Sequence, residues 1–234
     1  MKFWDKNDRQ IRVKICNIKN LEVGAIISEL NPDALGFHLF DNENFKDKAN
    51  AHKKSLTYLN PIISKWLLTD IKSKEQLNFI ITQLKIDVLQ LQRNYTPDEV
   101  INIRNLINSH SKKIRIAKSF STKGKTYDDL YLECASFESI CDAFLLDSTD
   151  TGGSGEFNNL HLCSQIVSSF NIPILLAGGL NSKNVKIAIK EVNPFGVDVE
   201  TGIEEIIGYD SSLGKNVKVK SYHKARSFID AVKS

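Results

Sequence analysis

Short apolar runs alternate with amphipathic stretches along the whole chain. The runs are rich in β-branched residues, as buried parallel strands are, and the stretches between them have the spacing of helices. Eight such units predict a repeated βα fold with a parallel sheet. The predicted strands are residues 12–16, 34–39, 66–69, 87–92, 115–120, 143–148, 172–177 and 196–200. The predicted helices are residues 21–30, 48–63, 73–84, 97–111, 127–140, 158–170, 184–192 and 222–232.

Helix boundaries support this division of the chain. Thr96, Pro97 and two acidic residues form a helix start, and Pro194 ends the seventh helix. No linker rich in Gly, Ser or Pro interrupts the units, so residues 1–234 are predicted to form a single (βα)₈ barrel of the TIM type. An open doubly wound sheet is the alternative. A barrel places chemistry at the carboxyl ends of its strands.

Composition and charge exclude several classes of protein. The 234 residues are 41% hydrophobic and 25% charged, values typical of a globular protein and not of a disordered one. Lys and Arg total 31 against 28 for Asp and Glu, with no block of like charges, which gives no indication of nucleic-acid binding. The apolar runs are too short to cross a membrane, and the charged N-terminus lacks a secretory signal, so we expect a cytosolic protein.

Two glycine-rich strand ends suggest a phosphate site. Gly178 and Gly179 follow the seventh strand, and Thr201 and Gly202 follow the eighth, where a short helix is expected. Glycines let a phosphate approach backbone N–H groups, and these two loops form the usual phosphate site of a barrel. The alternative is that the glycines serve only tight turns.

A carboxylate and a thiol are the candidate acid and base. Asp147 ends the sixth strand, before a loop that contains Gly152, Gly153, Ser154 and Gly155 and is expected to close over a ligand. A solvated acidic turn or a weak cation site is the alternative for this segment.

Lys14 and Cys16 lie two apart in the first strand, hence on one face. A nearby ammonium favours a thiolate, so Cys16 is expected to be a base or nucleophile. Cys134, Cys141 and Cys163 are interpreted as buried free thiols. The five histidines lack helical metal-ligand spacing and are expected at the surface or in structural roles; they are His38, His52, His110, His161 and His223.

Segments along nearly the whole chain resemble phosphoribosylanthranilate isomerase. They are Lys14-Ile15-Cys16, Gln90-Leu91, Leu146-Asp147 with Gly152-Gly153-Ser154-Gly155, Leu176-Ala177-Gly178-Gly179-Leu180 with Asn184-Val185, and Gly196-Val197-Asp198-Val199 with Gly202-Ile203-Glu204. The resemblance implies a (βα)₈ barrel that catalyses an Amadori rearrangement of a small phosphoribosyl substrate in tryptophan biosynthesis. It implies no metal and no organic cofactor.

The resemblance also implies roles for individual residues. Asp147 matches the general acid that opens the ribose ring, and Cys16 matches the general base that removes the proton from the sugar C2. Such groups need pKa values near the working pH. Asp198 matches an active-site carboxylate, and the glycines after the last two strands match the phosphate site.

Three departures fall on the side that would hold the anthranilate. The family's arginine after the second strand has no counterpart, and Asp41 and Glu43 occupy that loop. Gln92 and Arg93 replace the family's His and Gly after the fourth strand, and Asn17 replaces a Gly after Cys16. We expect Lys14, Gln90, Gln92, Arg93 and Asp198 to bind substrate. Arg93, Lys46 or Lys48 is expected to supply a relocated carboxylate clamp.

Three functions therefore stay open at the level of sequence. The first is a phosphoribosylanthranilate isomerase with an altered aglycone pocket. The second is a paralogue that performs the same chemistry on another phosphoribosyl compound. The third is a phosphosugar-binding barrel without turnover. The sequence does not indicate an oligomeric state.

Overall fold

A closed barrel of eight parallel strands forms the centre of the molecule. The computed structural model describes residues 2–4, 10–42, 44–92, 94–148, 159–211 and 214–234. Each strand pairs with the next in sequence, and pairing of the first with the last closes the barrel. The strands are β1 Arg12–Ile15, β2 Ala34–His38, β3 Ser64–Thr69, β4 Val88–Leu91, β5 Arg115–Ser121, β6 Ala143–Asp147, β7 Ile174–Leu176 and β8 Gly196–Val199. The predicted (βα)₈ barrel is confirmed, and the open sheet is wrong.

Eight helices alternate with the strands as predicted. They are α1 Leu21–Ser28, α2 Phe45–Tyr58, α3 Lys74–Gln83, α4 Pro97–Ser109, α5 Tyr127–Ala135, α6 Leu160–Ser169, α7 Val185–Val192 and α8 Tyr222–Lys233. Thr96 begins α4 with a capping box: its hydroxyl accepts from the Glu99 backbone N–H, and the Glu99 carboxylate accepts from the Thr96 backbone N–H. The predicted α2 extends past Pro61, but the helix ends before that proline because a residue preceding proline avoids helical geometry. No described helix is long and apolar enough to span a membrane.

The segment after β8 differs from the prediction. The expected short helix is a single 3₁₀ turn, Thr201–Ile203, and an antiparallel hairpin follows it. The hairpin consists of β9 Glu204–Asp210 and β10 Lys215–Lys220, and no strand was predicted there. Its apolar side chains are largely exposed, so the two-residue alternation of a half-buried strand is absent.

An aromatic cluster closes the amino end of the barrel. Phe3 is 1% exposed and lies edge-on to Trp66, on which Trp4 stacks with 5.9 Å between ring centroids. The Arg12 guanidinium donates to the Phe3 carbonyl over 3.0 Å and holds the N-terminal turn in place. Because this end is filled by side chains, the opposite end is the one where a ligand can enter.

Candidate active site

Lys14, Cys16 and Asp198 meet inside the carboxyl end of the barrel. The parallel register sets Lys14 opposite Asp198 on the neighbouring strand. The Lys14 Nζ donates to Asp198 Oδ2 over 2.8 Å and to Cys16 Sγ over 3.2 Å. All three side chains are buried. Lys14 and Cys16 are two residues apart in the strand and were predicted to share one face, and in the structure they are in direct contact.

Gly36 on β2 makes room for this group. A Cβ at Gly36 would lie 2.9 Å from Cys16 Sγ and 3.1 Å from Lys14 Nζ, closer than carbon atoms normally approach either atom. The absence of a side chain at Gly36 therefore allows Cys16 and Lys14 to point inward side by side. Sequence reasoning did not single out Gly36, because its role depends on the pairing of β1 with β2.

The surroundings of Cys16 act on the pKa of its thiol in two directions. Burial raises the pKa of the Cys16 thiol to about 12, and the Asp198 charge raises it as well. Lys14 lowers it, as the sequence suggested, although its ammonium is also engaged by Asp198 at the shorter distance. The role of Cys16 as a base or nucleophile stays a prediction, and burial of the thiol is a cost that the reaction must offset.

His38 and Glu200 extend the cluster towards solvent. The His38 Nε2 lies 3.3 Å from Cys16 Sγ and 3.7 Å from Glu200 Oε2. Asn17 donates to the other carboxylate oxygen of Glu200 over 2.8 Å. Asn17 has a φ of 61°, a conformation that asparagine tolerates better than most residues. Burial lowers the pKa of His38 to about 4, so the imidazole is neutral.

His38 is therefore not at the exposed surface as expected, but lines a cavity beside Cys16 and is a candidate for a functional role. The test by helical spacing was the wrong one, because His38 is on a strand. Residues 34, 36 and 38 share one face of β2, and the first of them fills the barrel interior. That alternation was the signal in the sequence that could have found His38.

A cavity of about 140 Å³ opens beside this cluster. Its walls come from five strands and the residues that follow them; they are His38, Phe40, Leu68, Gln90, Gln92, Leu145, Asp147, Asp198 and Glu200. The predicted acid Asp147 lines it from β6, and the Ser148 hydroxyl donates to its carboxylate over 3.5 Å. The structure thus brings Asp147, Gln90, Gln92 and Asp198 to one cavity.

Two buried oxygen atoms at this cavity have no hydrogen-bond partner among the described residues. They are Gln90 Oε1 and Asp198 Oδ1. Gln90 donates to the Ser119 hydroxyl over 3.0 Å through its amide nitrogen, which fixes its orientation. Buried polar atoms normally find a partner, so both oxygens are suited to accept hydrogen bonds from a ligand.

The loops after β7 and β8 lie against each other. Gly178 and Gly179 have φ values of 91° and 61°, in the left-handed region that favours glycine. A Cβ on Gly178 would lie 2.5 Å from the Ser148 hydroxyl, and one on Gly202 would lie 1.9 Å from the Leu180 carbonyl oxygen. These close approaches show why glycine stands there. Phosphate binding by Gly178, Gly179, Thr201 and Gly202 stays a prediction.

The candidates for a carboxylate clamp do not come together at the cavity. Lys46 and Lys48 are exposed on α2, and the cavity is lined by other residues. Asp41 accepts from the Gln76 amide over 3.2 Å at the exposed side of the neighbouring units. Arg93, Glu43 and the loop residues Gly152, Gly153, Ser154 and Gly155 lie outside the described residues.

Comparison with known proteins gives one consistent result. Residues 68–218 match the family model described as N-(5'-phosphoribosyl)anthranilate (PRA) isomerase. A protein of that name from Caldanaerobacter subterraneus subsp. tengcongensis is 31% identical over 229 residues, covering 95% of this chain and 98% of its own. The enzyme named N-(5'-phosphoribosyl)anthranilate isomerase 2 from Methanosarcina mazei is 29% identical over 210 residues, covering 87% and 90%. The solved N-(5'-phosphoribosyl)anthranilate isomerase from Pyrococcus furiosus superposes with a TM-score of 0.70 at 25% identity, covering 96% of this chain and 99% of that one.

Proposed function

The chain belongs to the N-(5'-phosphoribosyl)anthranilate isomerase family, and we propose that its cavity performs the Amadori rearrangement of N-(5'-phosphoribosyl)anthranilate. The product is the 1-(carboxyphenylamino)-1-deoxyribulose 5-phosphate of tryptophan biosynthesis. The protein is thus an aldose–ketose isomerase with a small-molecule substrate. The observation that carries the assignment of the site is the meeting of a carboxylate from β6 with the Lys14, Cys16 and Asp198 cluster around one cavity.

Asp147 acts first, as the general acid. It gives a proton to the ring oxygen of the ribose while the bond between that oxygen and C1 breaks. The lone pair of the anthranilate nitrogen forms a double bond to C1, which yields a protonated Schiff base. Asp147 is suited to this step because it ends a strand, lines the cavity and is half-buried.

Cys16 then acts as the general base. Its thiolate removes the proton from C2, the electron pair forms a C1–C2 double bond, and the nitrogen becomes neutral. Tautomerisation of the resulting enolamine moves the C2 hydroxyl proton to C1 and leaves a ketone at C2. The positive Schiff base favours the thiolate electrostatically, as the Lys14 ammonium does, and so offsets the burial that raises the pKa of Cys16.

We propose that His38 takes the Cys16 thiol proton when the positive Schiff base is present, because with a pKa of about 4 for His38 and about 12 for Cys16 the proton otherwise stays on sulfur. The His38 Nε2 lies 3.3 Å from Sγ. The Glu200 carboxylate near the same nitrogen stabilises the imidazolium once it forms. A Cys and His pair of this kind activates a thiol in other classes of enzyme.

The phosphate and the aromatic ring of the substrate are expected to bind at opposite sides of the site. We expect the glycines after β7 and β8, whose loops lie against each other, to offer backbone N–H groups to the phosphate. His38, Phe40 and Gln92 line the other side, where the aromatic ring would lie. Lys46 and Lys48 are not among the described residues that line the cavity, and Arg93, which lies outside the described residues, stays a predicted clamp for the anthranilate carboxylate.

The direct test is turnover of substrate generated in situ, followed by loss of its fluorescence. We expect Cys16→Ala and Asp147→Asn each to lower kcat by about 10²- to 10⁴-fold, the usual contribution of a positioned acid or base. Cys163→Ala is the matched control, because it removes a buried thiol of α6 that is remote in the fold from the cavity. Wild-type rates in both site variants would contradict the mechanism.

Two other outcomes of the same assay separate the remaining functions. Binding of inorganic phosphate without turnover of this substrate would favour a paralogue with another aglycone. Ligand binding with no turnover of any phosphoribosylamine would favour a binding barrel.

A further inference from the structure

Three potential metal ligands converge at the mouth of the barrel from β1, β2 and β8. They are Cys16 Sγ, His38 Nε2 and a carboxylate oxygen of Glu200, and these atoms all lie within 4.8 Å of one another. We propose that Cys16, His38 and Glu200 bind a divalent transition-metal ion of the zinc class, and that the bound ion inhibits the isomerase. Metal binding is independent of the proposed function, and only its inhibitory effect rests on it.

Two of the three spacings fit a tetrahedral ion. With Zn–S of about 2.3 Å and Zn–N and Zn–O of about 2.1 Å, tetrahedral angles separate S from N by about 3.6 Å and N from O by about 3.4 Å. The structure gives 3.3 Å between Sγ and Nε2 and 3.7 Å between Nε2 and Oε2, within a few tenths of an ångström of these values. The third separation, between Sγ and the Glu200 carboxylate oxygen, is within 4.8 Å, so the partly exposed carboxylate must turn towards Cys16 when the ion binds.

The ligand types favour zinc over the other common ions. A thiolate, an imidazole and one carboxylate form a mixed set that suits Zn²⁺, whereas Mg²⁺ and Ca²⁺ prefer oxygen ligands alone. His38 and Glu200 both line the cavity, so the fourth coordination position faces the space that a substrate or water enters. Partial exposure of these two side chains provides the path by which an ion reaches the site.

Neighbouring residues orient the ligands as the outer shell of a metal site does. The Asn17 amide donates to Glu200 Oε1 over 2.8 Å and leaves Oε2 directed to His38. The Lys14 ammonium contacts the Cys16 sulfur at 3.2 Å and favours the thiolate form of Cys16. Partners of this kind fix the direction of metal ligands and contribute to affinity.

The charges of the cluster balance when an ion is bound. The positive charge of Lys14 is offset by its ion pair with Asp198 at 2.8 Å. Glu200 and the Cys16 thiolate then carry two negative charges, which a divalent cation neutralises. Binding replaces the thiol proton by the metal, so one proton is released for each ion bound.

Inhibition follows from the same bond. The lone pair of the Cys16 sulfur that would take the C2 proton is donated to the metal instead. The ion also blocks the His38 nitrogen that is proposed to accept the thiol proton. The resemblance to this family implies no metal cofactor, and the ion proposed here is an inhibitor.

The test uses the full chain freed of metal with a chelator and then titrated with Co²⁺ and Zn²⁺. We expect one equivalent of Co²⁺ to give the thiolate-to-cobalt charge-transfer absorption, and Zn²⁺ to displace it. Asn17→Ala should weaken binding about 10- to 100-fold, as loss of an outer-shell partner does. His38→Gln and Glu200→Gln should weaken it further, and Cys16→Ser should abolish the charge-transfer band.

Two controls keep the test independent of folding and of turnover. His110→Gln removes an exposed histidine that contacts Asn78 far from the cluster and should leave the affinity unchanged. Asp147→Asn should lose turnover yet bind Co²⁺ as the wild type does. Inhibition is measured as the ratio of wild-type rates with and without Zn²⁺.

Absence of the charge-transfer band in the wild type, or equal affinity in His38→Gln, would overturn the metal site. Stoichiometric Zn²⁺ binding with an unchanged rate would overturn the inhibitory role. A wild type that binds Co²⁺ but never turns over would contradict the proposed function and leave the metal site supported.

Discussion

Replacing Gly36 by Ala tests whether the position of Cys16 limits the rate. Gly36 lies in the middle of β2 and its φ is not in the left-handed region, so alanine introduces no backbone strain. The added Cβ would lie 2.9 Å from Cys16 Sγ, 3.1 Å from Lys14 Nζ and 3.2 Å from Lys14 Cε. The effect of the substitution is therefore a steric displacement of the thiol and of the lysine.

The size of the effect follows from these distances. Ordinary contacts between heavy atoms are about 3.5–4.0 Å, so the sulfur must retreat by about 0.6–1 Å. Lys14 can shift by only a few tenths of an ångström, because it is fully buried, paired with Asp198 and placed 5.5 Å from the centre of the Trp66 ring, so the sulfur takes most of the displacement. Misplacement of a catalytic group by about 1 Å costs about 10²-fold in rate. Overpacking of the interior adds about 1–3 kcal/mol of destabilisation.

The assay is steady-state turnover together with the free energy of unfolding. We expect kcat of Gly36→Ala to fall about 10²-fold, with little change in the affinity for inorganic phosphate, whose proposed site is on the other side of the cavity. Gly208→Ala is the matched control, because a Cβ at Gly208 of the hairpin would contact nothing within 4 Å. It should retain both rate and stability.

A folded Gly36→Ala protein with the wild-type kcat would refute the reasoning. It would mean that the position of the sulfur does not limit the reaction, and that Cys16 is not the base. A loss of stability without a loss of rate per folded molecule would lead to the same conclusion.

Two further predictions use other parts of the structure. Gly178→Ala forces alanine to a φ of 91° and into the Ser148 hydroxyl, so we expect a higher Kd for inorganic phosphate and a free energy of unfolding lower by about 1–3 kcal/mol. The control Gly124→Ala, at a φ of 66° with nothing nearby, should keep the affinity for phosphate. Equal changes of Kd in the two variants would contradict the phosphate site. Burial raises the pKa of Cys163 from 9.0 to about 12, so its stabilising effect is present below pH 9 and is lost as the pH rises towards 12. From pH 8 to pH 10 this thiol should cost the wild type about 1.4 kcal/mol of unfolding free energy, and denaturant titrations should show Cys163→Ala spared that loss.

The sequence predicted the parts of the fold that repeat. Eight apolar runs and eight amphipathic stretches determine a barrel, because every strand is buried on both faces and every helix on one. The hairpin after β8 gave no such signal, since Ile206, Ile207 and Tyr209 are exposed and follow no alternation. The single 3₁₀ turn that begins at Thr201 was predicted as a short helix, because the hairpin that follows it was not recognised.

Strand periodicity predicted contacts in the site only where one strand carries two partners; Gln90 and Asp198 came from the family resemblance, as did the specific role of Asp147. Lys14 and Cys16 are neighbours in sequence, so their contact follows from the period of a strand. His38 and Glu200 reach the same thiol from β2 and from the end of β8, and only barrel closure brings those strands to either side of β1. The rise in the pKa of Cys16 could not be predicted for the same reason, because Asp198 and the burial of the thiol are properties of the assembled barrel.

The aromatic closure of the amino end also gives the molecule an internal optical reporter. The chain has only two tryptophans, Trp4 and Trp66, and they stack at 11° to each other at the end remote from the cavity. The fluorescence emission and the exciton coupling of the two tryptophans should therefore change when the amino end of the barrel unfolds. Binding of a ligand at the carboxyl end should leave both signals almost unchanged. The Lys14 ammonium lies 5.5 Å from the centre of the Trp66 ring, so a substitution of Lys14 should change the tryptophan signals of the folded protein.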